Sequence, residues 1–368
     1  MWVYHYSRKW LFKFTLLVVV FLFWNQLIFG QNGKKYWRYQ DAMASITSDP
    51  VIKVEDLRTH FQTKWGTVKA VDGVSFEVNR GETLGIVGES GSGKSVTMLS
   101  LMRLVQSPPG KIVNGKIFLE GQDILELSEN EMSKIRGRKI GLILQDPMTS
   151  LNPVFTIGDQ VMEAVRLHEP QPKRTALQKV VDILRKVNIP APESRVQDYP
   201  HQMSGGMRQR VVGAIGISAQ PSVLIADEPT TSLDVTIQAQ YLRLLREIQV
   251  EANLAMIFIT HDFGIVAKMC DKVAVMYAGR IVEMGSVRDL FNHPSHPYTQ
   301  ALLDSVPKME IDVDRLYSIE GQPPTLHDLP QGCPFAPRCQ HVMDRCLSEY
   351  PDQLEISDGH TASCWRLT

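Results

Sequence analysis

At 368 residues the chain has room for one large α/β domain plus an appendage, and with 43% apolar and 21% charged residues it can bury an ordinary globular core. Lys and Arg total 39 against 40 Asp and Glu, so there is no basic excess of the kind that binds nucleic acid through its phosphates.

Residues 14–29 are almost continuously apolar, interrupted by Thr15, Asn25 and Gln26. A membrane-spanning helix needs ~20 such residues, with a lower limit near ~17, so this stretch is marginal. Arg8, Lys9 and Lys13 precede it and Lys34, Lys35 and Arg38 follow, a symmetry that sets no orientation. Residues 1–42 therefore read as an uncleaved anchor, a chance apolar extension or a misassigned start, with Met43 a natural cytosolic beginning.

From residue 51 the texture is that of strands alternating with helices. Residues 51–58 and 68–78 alternate apolar and polar side chains, as half-buried strands do. Short strands are expected at 83–87, 116–119 and 140–144. The runs 223–226 and 256–259 are apolar throughout, the mark of strands covered on both faces of a parallel sheet. Helical periodicity is expected over 96–105, 160–167, 174–187, 208–218 and 237–250, and a hairpin over 273–284 closes the core. Beyond about residue 286 the sequence turns rich in Pro, His and Cys, which places a boundary there: a main domain over 51–285 and an extension over 286–368.

Three constellations carry chemistry. Gly88-Glu89-Ser90-Gly91-Ser92-Gly93-Lys94-Ser95 follows a strand and opens a helix. Its glycines let successive N–H groups turn inward toward a phosphate, and the helix adds the positive end of its dipole. Lys94 would reach the terminal phosphates and the Ser95 hydroxyl would ligate Mg²⁺. Asp227 and Glu228 end an apolar strand, where adjacent carboxylates are costly unless a cation or a reacting water uses them. Asp227 would hold Mg²⁺ through water, and Glu228 would act as general base. Ser204-Gly205-Gly206 opens a helix, with Ser204 a good N-cap and the glycines open to an anion.

Together these residues resemble the ATP-binding cassette superfamily, whose signature is matched by Met203-Ser204-Gly205-Gly206-Met207. Gln145 matches the Q-loop glutamine and a further Mg²⁺ ligand, Asp234 lies in the D-loop, and His261 is the switch histidine. Met203 replaces the usual Leu, and Met207 replaces the usual Gln; Ser-Gly-Gly-Met-Arg-Gln-Arg is the form found in the D-type ATPases of oligopeptide and dipeptide importers. The runs 70–76, 145–153, 199–202 and 234–240 extend that resemblance, which covers about residue 51 to the end. It implies a RecA-like core, an antiparallel β subdomain and a helical signature subdomain over about 125–215, joined to a small Cys-rich extension. It further implies ATP hydrolysis at the cytoplasmic face of the inner membrane and a second, F-type cassette completing each nucleotide site. Two membrane permeases and an extracytoplasmic solute-binding protein would complete the importer.

An adenine ring wants an aromatic platform, for which Trp65 and Phe61 are the candidates, Trp65 the better spaced. His293 and His296 lie in a Pro-interrupted loop and read as structural. Cys270 reads as a core residue. The other four of the five cysteines, Cys333, Cys339, Cys346 and Cys364, lack the tight pairs that zinc ribbons favour. The resemblance implies a four-iron, four-sulfur cluster on them, with zinc or no metal as alternatives. A soluble cassette ATPase of DNA repair or translation is the other class of reading; one cassette, a near-zero net charge and no heptad run weigh against it. So does the pair Glu228 and His261 weigh against a membrane-anchored protein that only senses nucleotide.

Overall fold

The computed structural model describes residues 50–306 and 318–368; residues 1–42, and every reading attached to them, lie outside the described residues. Strands β1 (Ile52–Thr63) and β2 (Gly66–Val78) form an antiparallel hairpin in which Ile52 faces Val78 and Val54 faces Phe76, as the alternating apolar pattern dictates. The chain then enters β3 (Thr83–Val87), turns through the phosphate-loop sequence and forms α1 (Lys94–Leu101). Helix α1 ends four residues earlier than its periodicity suggests. Arg103 adopts a left-handed backbone (φ +51°), and its guanidinium donates to the carbonyls of Ile124 and Leu127. Strands β4 (Gly110–Leu119) and β5 (Gln122–Asp123) complete a four-stranded sheet of order β2-β1-β4-β5. The first half of β4 was not legible because only its last residues are apolar and buried; pairing with β1 holds the rest.

A helical layer follows. Helix α2 (Glu129–Ile135) starts at a capping box between Ser128 and Glu131, and after β6 (Ile140–Ile143) comes a single turn, α3 (Pro147–Ser150), capped by Asp146. Helices α4 (Ile157–His168), α5 (Lys173–Lys186), α6 (Pro192–Arg195) and α7 (Gly205–Ile217) pack through Val161, Val165, Val180, Leu184 and Val211, all nearly inaccessible. The chain returns to β7 (Val223–Asp227), then α8 (Val235–Ala252), β8 (Ala255–Ile259), α9 (Phe263–Met269), β9 (Lys272–Tyr277) and β10 (Arg280–Ser286).

Strands β6, β7, β8, β3 and β9 are parallel neighbours, so their C-terminal ends share one edge of the sheet. Every residue of β3, β7 and β8 is buried, which is why these runs show no alternation. Cys270 packs its sulfur where Gly85 leaves room for it, and burial pushes its thiol pKa well up, as suits a core residue.

The change of composition at residue 286 falls inside this sheet rather than at its rim. Helices α10 (Val287–Asn292), α11 (Pro297–Asp304) and α12 (Asp344–Ser348) lead to β11 (Leu354–Ser357) and β12 (His360–Ala362), and β12 pairs with β10. The eight-stranded order is β11-β12-β10-β9-β3-β8-β7-β6. At that seam Glu283 is fully buried. Its carboxylate accepts the backbone N–H groups of Ser295 and His296 at 2.7 and 2.9 Å, and His360 Nε2 lies 2.8 Å away. His296, buried and held neutral with its pKa pushed down to about 3, caps α11 by accepting the N–H of Tyr298. Of the two Pro-flanked histidines, His296 thus serves the junction, while His293 is exposed.

Removing the Glu283 carboxylate would strand these buried donors. Glu283→Ala is expected to lower unfolding stability by on the order of 3 kcal/mol, read from urea unfolding curves.

Candidate functional site

The sharp turn after β3 depends on three glycines. A Cβ on Gly88 would sit 2.2 Å from the Met276 carbonyl, and one on Gly93 would sit 2.3 Å from that of Ala70. Gly91 has open space around it but a backbone (φ +79°) that other residues rarely adopt. The buried Ser92 hydroxyl has no hydrogen-bond partner among the described residues. Lys94, nearly inaccessible, folds its ammonium back onto the carbonyls of Gly88 and Glu89 at 2.7 and 2.9 Å. Burial lowers the Lys94 pKa, opposed by Glu228, Asp227 and Glu89. Backbone donors, an orphaned hydroxyl and a lysine bound only to carbonyls fit a phosphate chain, for which the lysine would exchange its carbonyl partners.

Across the sheet edge, β7 delivers Asp227 and Glu228. Burial raises the Asp227 pKa first, and the adjacent Glu228 adds to it; the Ser95 hydroxyl, in hydrogen-bonding reach, and Lys94 oppose the rise. Such a carboxylate beside a hydroxyl fits a hard divalent cation, whose charge would reverse the shift. Glu228 has a left-handed backbone (φ +42°), uncommon for a residue with a side chain and of the kind found at functional sites. Three side chains converge on it. Gln145 Nε2 donates to Oε2 at 3.0 Å, Thr231 donates its hydroxyl to the same oxygen at 3.1 Å, and His261 Nδ1 lies 3.2 Å from Oε1. Gln145 and His261 follow β6 and β8, the strands on either side of β7. Thr231 was missed from sequence because a threonine three residues past an acid carries no signal of its own.

The remaining predicted residues lie apart. Ser204 caps α7 by accepting the Met207 N–H, and Gly205 has open space where a Cβ would go. Gly206 closes onto Ile237. Asp234 caps α8 by accepting the N–H groups of Thr236 and Ile237, leaving Val235 80% exposed. Among the described hydrogen bonds and ion pairs, none joins residues 204–206 or 234 to the phosphate loop or to Glu228. Trp65 is 81% exposed at the β1–β2 turn, whereas the Phe61 ring packs on Gly110.

The iron–sulfur expectation meets no ready-made centre: among the described residues, no three His, Cys, Asp or Glu side chains gather to hold a metal ion. Cys333, Cys339, Cys346 and Cys364 are all free thiols bordering one cavity of about 20 Å³, room for little more than a water. Burial pushes the Cys333 thiol up to about 11 and those of Cys339 and Cys364 in the same direction, so metal loading would release protons.

Comparison with known proteins decides the family. Residues 71–231 match the ABC transporter family, and residues 282–346 match the oligopeptide/dipeptide transporter C-terminal region. The chain is 50% identical over 317 residues to the dipeptide transport ATP-binding protein DppD of Bacillus subtilis, covering 86% of this chain and 95% of that one. The chain belongs to the ATP-binding subunits of ABC transporters. The oligopeptide transport ATP-binding protein AppD of Bacillus subtilis is 48% identical (86% and 96% covered), and DppD of Escherichia coli is 47% identical (85% and 96%). Among solved structures, CbiO1 of Clostridium perfringens, part of the ABC transporter complex CbiONQ, superposes with a TM-score of 0.58 at 29% identity, covering 67% of this chain and 92% of that one. The cassette MJ0796 bound to ADP and Pi, a dimer, matches with the same score at 23% identity, covering 64% and 99%, and shows the shared fold. This ABC subunit is an ATP-binding and ATP-hydrolysing protein.

The two kinds of glycine separate experimentally. Gly88→Ala is expected to overpack the loop, costing ~1–3 kcal/mol of stability and abolishing nucleotide binding in calorimetric titrations. Gly205→Ala meets no atom and should leave stability within about 0.5 kcal/mol and the chain's own ATP binding intact.

Proposed function

We propose that this subunit hydrolyses ATP at the cytoplasmic face of the membrane to drive import of di- or oligopeptides. The observation that carries the catalytic part is the triple grip on Glu228 at the C-terminal edge of the sheet, beside the phosphate loop. Residues 88–95 hold the triphosphate through backbone N–H groups and Lys94. Ser95, Asp227 and Gln145 would hold Mg²⁺, which would supply charge neutralisation on the phosphate oxygens. Glu228 orients and deprotonates the attacking water, and His261 steadies the developing charge. Gln145 answers to the presence of the γ-phosphate from the start of the helical layer. The peptide substrate class rests on the DppD and AppD relatives and on the transporter-type C-terminal region. No helix among the described residues is long and apolar enough to cross a membrane. The relatives and the transporter family support two permeases as the membrane path, fed by an extracytoplasmic binding protein.

The site within one chain is a half-site. Ser204, Gly205 and Gly206 sit at a helix start, with free space at Gly205 and, among the described residues, no partner in the catalytic cluster, which suits contact with the γ-phosphate on a second cassette of F type. Asp234 and the exposed Val235 border the same junction. Residues 51–285 then form the nucleotide-hydrolysing body and 286–368 its extension. For adenine, the exposed Trp65 is free to stack, while Phe61 is occupied by Gly110.

Glu228→Gln keeps the hydrogen-bonding shape and removes the base. ATP affinity should stay within about threefold while turnover falls by ~10²–10⁴, with nucleotide trapped in an associated pair of cassettes on size exclusion. Turnover at the wild-type rate would remove Glu228 from the mechanism.

The four C-terminal thiols match an iron–sulfur centre in kind and number, although the present cavity has no room for a cubane without the cysteine loops moving apart. Anaerobically purified protein is expected to give about four irons and four sulfides per chain and charge-transfer absorption in the visible. Zinc, or an absence of metal in the same preparation, would discard the cluster.

A further inference from the structure

The second residue of the phosphate loop is gripped from the C-terminal extension. Arg338, only 4% exposed, donates to the Glu89 carboxylate through both terminal nitrogens, Nη1 to Oε2 at 2.6 Å and Nη2 to Oε1 at 2.9 Å. The guanidinium is held in turn: Nε donates to the Glu320 carbonyl at 3.0 Å, and Nη1 also reaches the Tyr277 hydroxyl at 3.2 Å. The fully buried Tyr298, from α11, accepts the Glu89 backbone N–H at 2.9 Å. Its ring is fixed between those of Tyr277 and Phe335, with centroids 4.6 and 5.3 Å away. The Glu89 carbonyl accepts from Lys94. All three polar groups of one loop residue are therefore engaged, two of them by side chains more than 200 positions later in the chain.

This contact solves an electrostatic problem. A carboxylate on a loop that must receive a polyphosphate repels it and competes for Lys94. A bidentate guanidinium neutralises that charge and holds it in one orientation.

We propose that Arg338 and Tyr298 are positioning residues for ATP: acting through Glu89, they neutralise and fix the rim of the phosphate loop, so that the extension sets the subunit's affinity for phosphate. This inference rests on residues 88–95 being the phosphate cradle. It assigns the extension a part in the nucleotide site beyond completing the sheet. Neither residue touches the reacting atoms. The effect belongs to binding, and it grows with the number of phosphates.

The test is equilibrium titration of the full chain with ATP, ADP and adenosine, together with steady-state turnover. Arg338→Gln should weaken ATP binding by roughly 10- to 100-fold, ADP less and adenosine hardly, raising KM with kcat preserved. Adding Glu89→Gln to that variant should restore ATP affinity to within about threefold of wild type, because the unpaired charge is then gone. Glu89→Gln alone leaves the Arg338 charge unopposed at the loop rim and should tighten ATP binding by roughly threefold or more, ADP less and adenosine hardly, and it carries the test if Arg338→Gln does not fold. Tyr298→Phe should weaken ATP by roughly three- to tenfold through the lost acceptor. Equal losses for ATP and adenosine, no rescue in the double variant, or unchanged or weakened ATP binding by Glu89→Gln alone would each overturn the inference and leave a merely structural staple. A wild-type chain that bound no ATP would instead overturn the cradle on which it rests.

Discussion

The site is organised around an excess of negative charge at one edge of a buried sheet. Asp227 and Glu228 end a strand whose other residues are wholly inaccessible, and burial disfavours the charged form of the first. Such a pair is tolerable only with compensation nearby. Lys94, the Ser95 hydroxyl, Gln145, Thr231 and His261 provide it from four other places in the chain. Much of the surrounding architecture can be understood as the means of bringing those groups to that edge. The parallel strands deliver Gln145, Asp227 and His261 at their C-terminal ends, and β3 delivers the loop and Lys94.

The same principle of charge balance runs through the extension. Glu283 is buried among backbone donors and His360, and it ties the Pro-flanked junction to β10 and β12. Arg338 is buried against Glu89. A bidentate pair with supporting hydrogen bonds is the arrangement in which a largely buried ion pair offsets its desolvation. The contacts bind a loop-rich segment to β10 and to the phosphate loop. Together with the β10–β12 pairing, they make residues after 286 part of the same folded body as the core.

The signature residues follow a different logic. Ser204 and Asp234 satisfy their own helix ends, and Gly205 faces open space. Among the described hydrogen bonds these residues serve only their own helix ends, whereas Gln145, Thr231 and His261 converge on Glu228.

The nucleotide motifs were legible because each needs particular residues in close succession: glycines where a Cβ would strike a carbonyl, a lysine at the helix start, two acids ending an apolar strand. The buried strands were equally legible, since a run of four or five apolar residues bounded by polar ones leaves few alternatives. Local sequence alone thus determined the parallel α/β core, the phosphate loop and the acids Asp227 and Glu228 as candidates, whereas Gln145 and His261 were reached through the family resemblance. Only the tertiary structure decided how those residues meet: Thr231 joining Gln145 and His261 on Glu228, Arg338 and Tyr298 reaching back to Glu89, and β12 extending the core sheet. Those contacts span from 3 to 249 positions, and the long ones leave no periodicity or spacing in the chain, because a buried ion pair constrains distance in space and not distance in sequence.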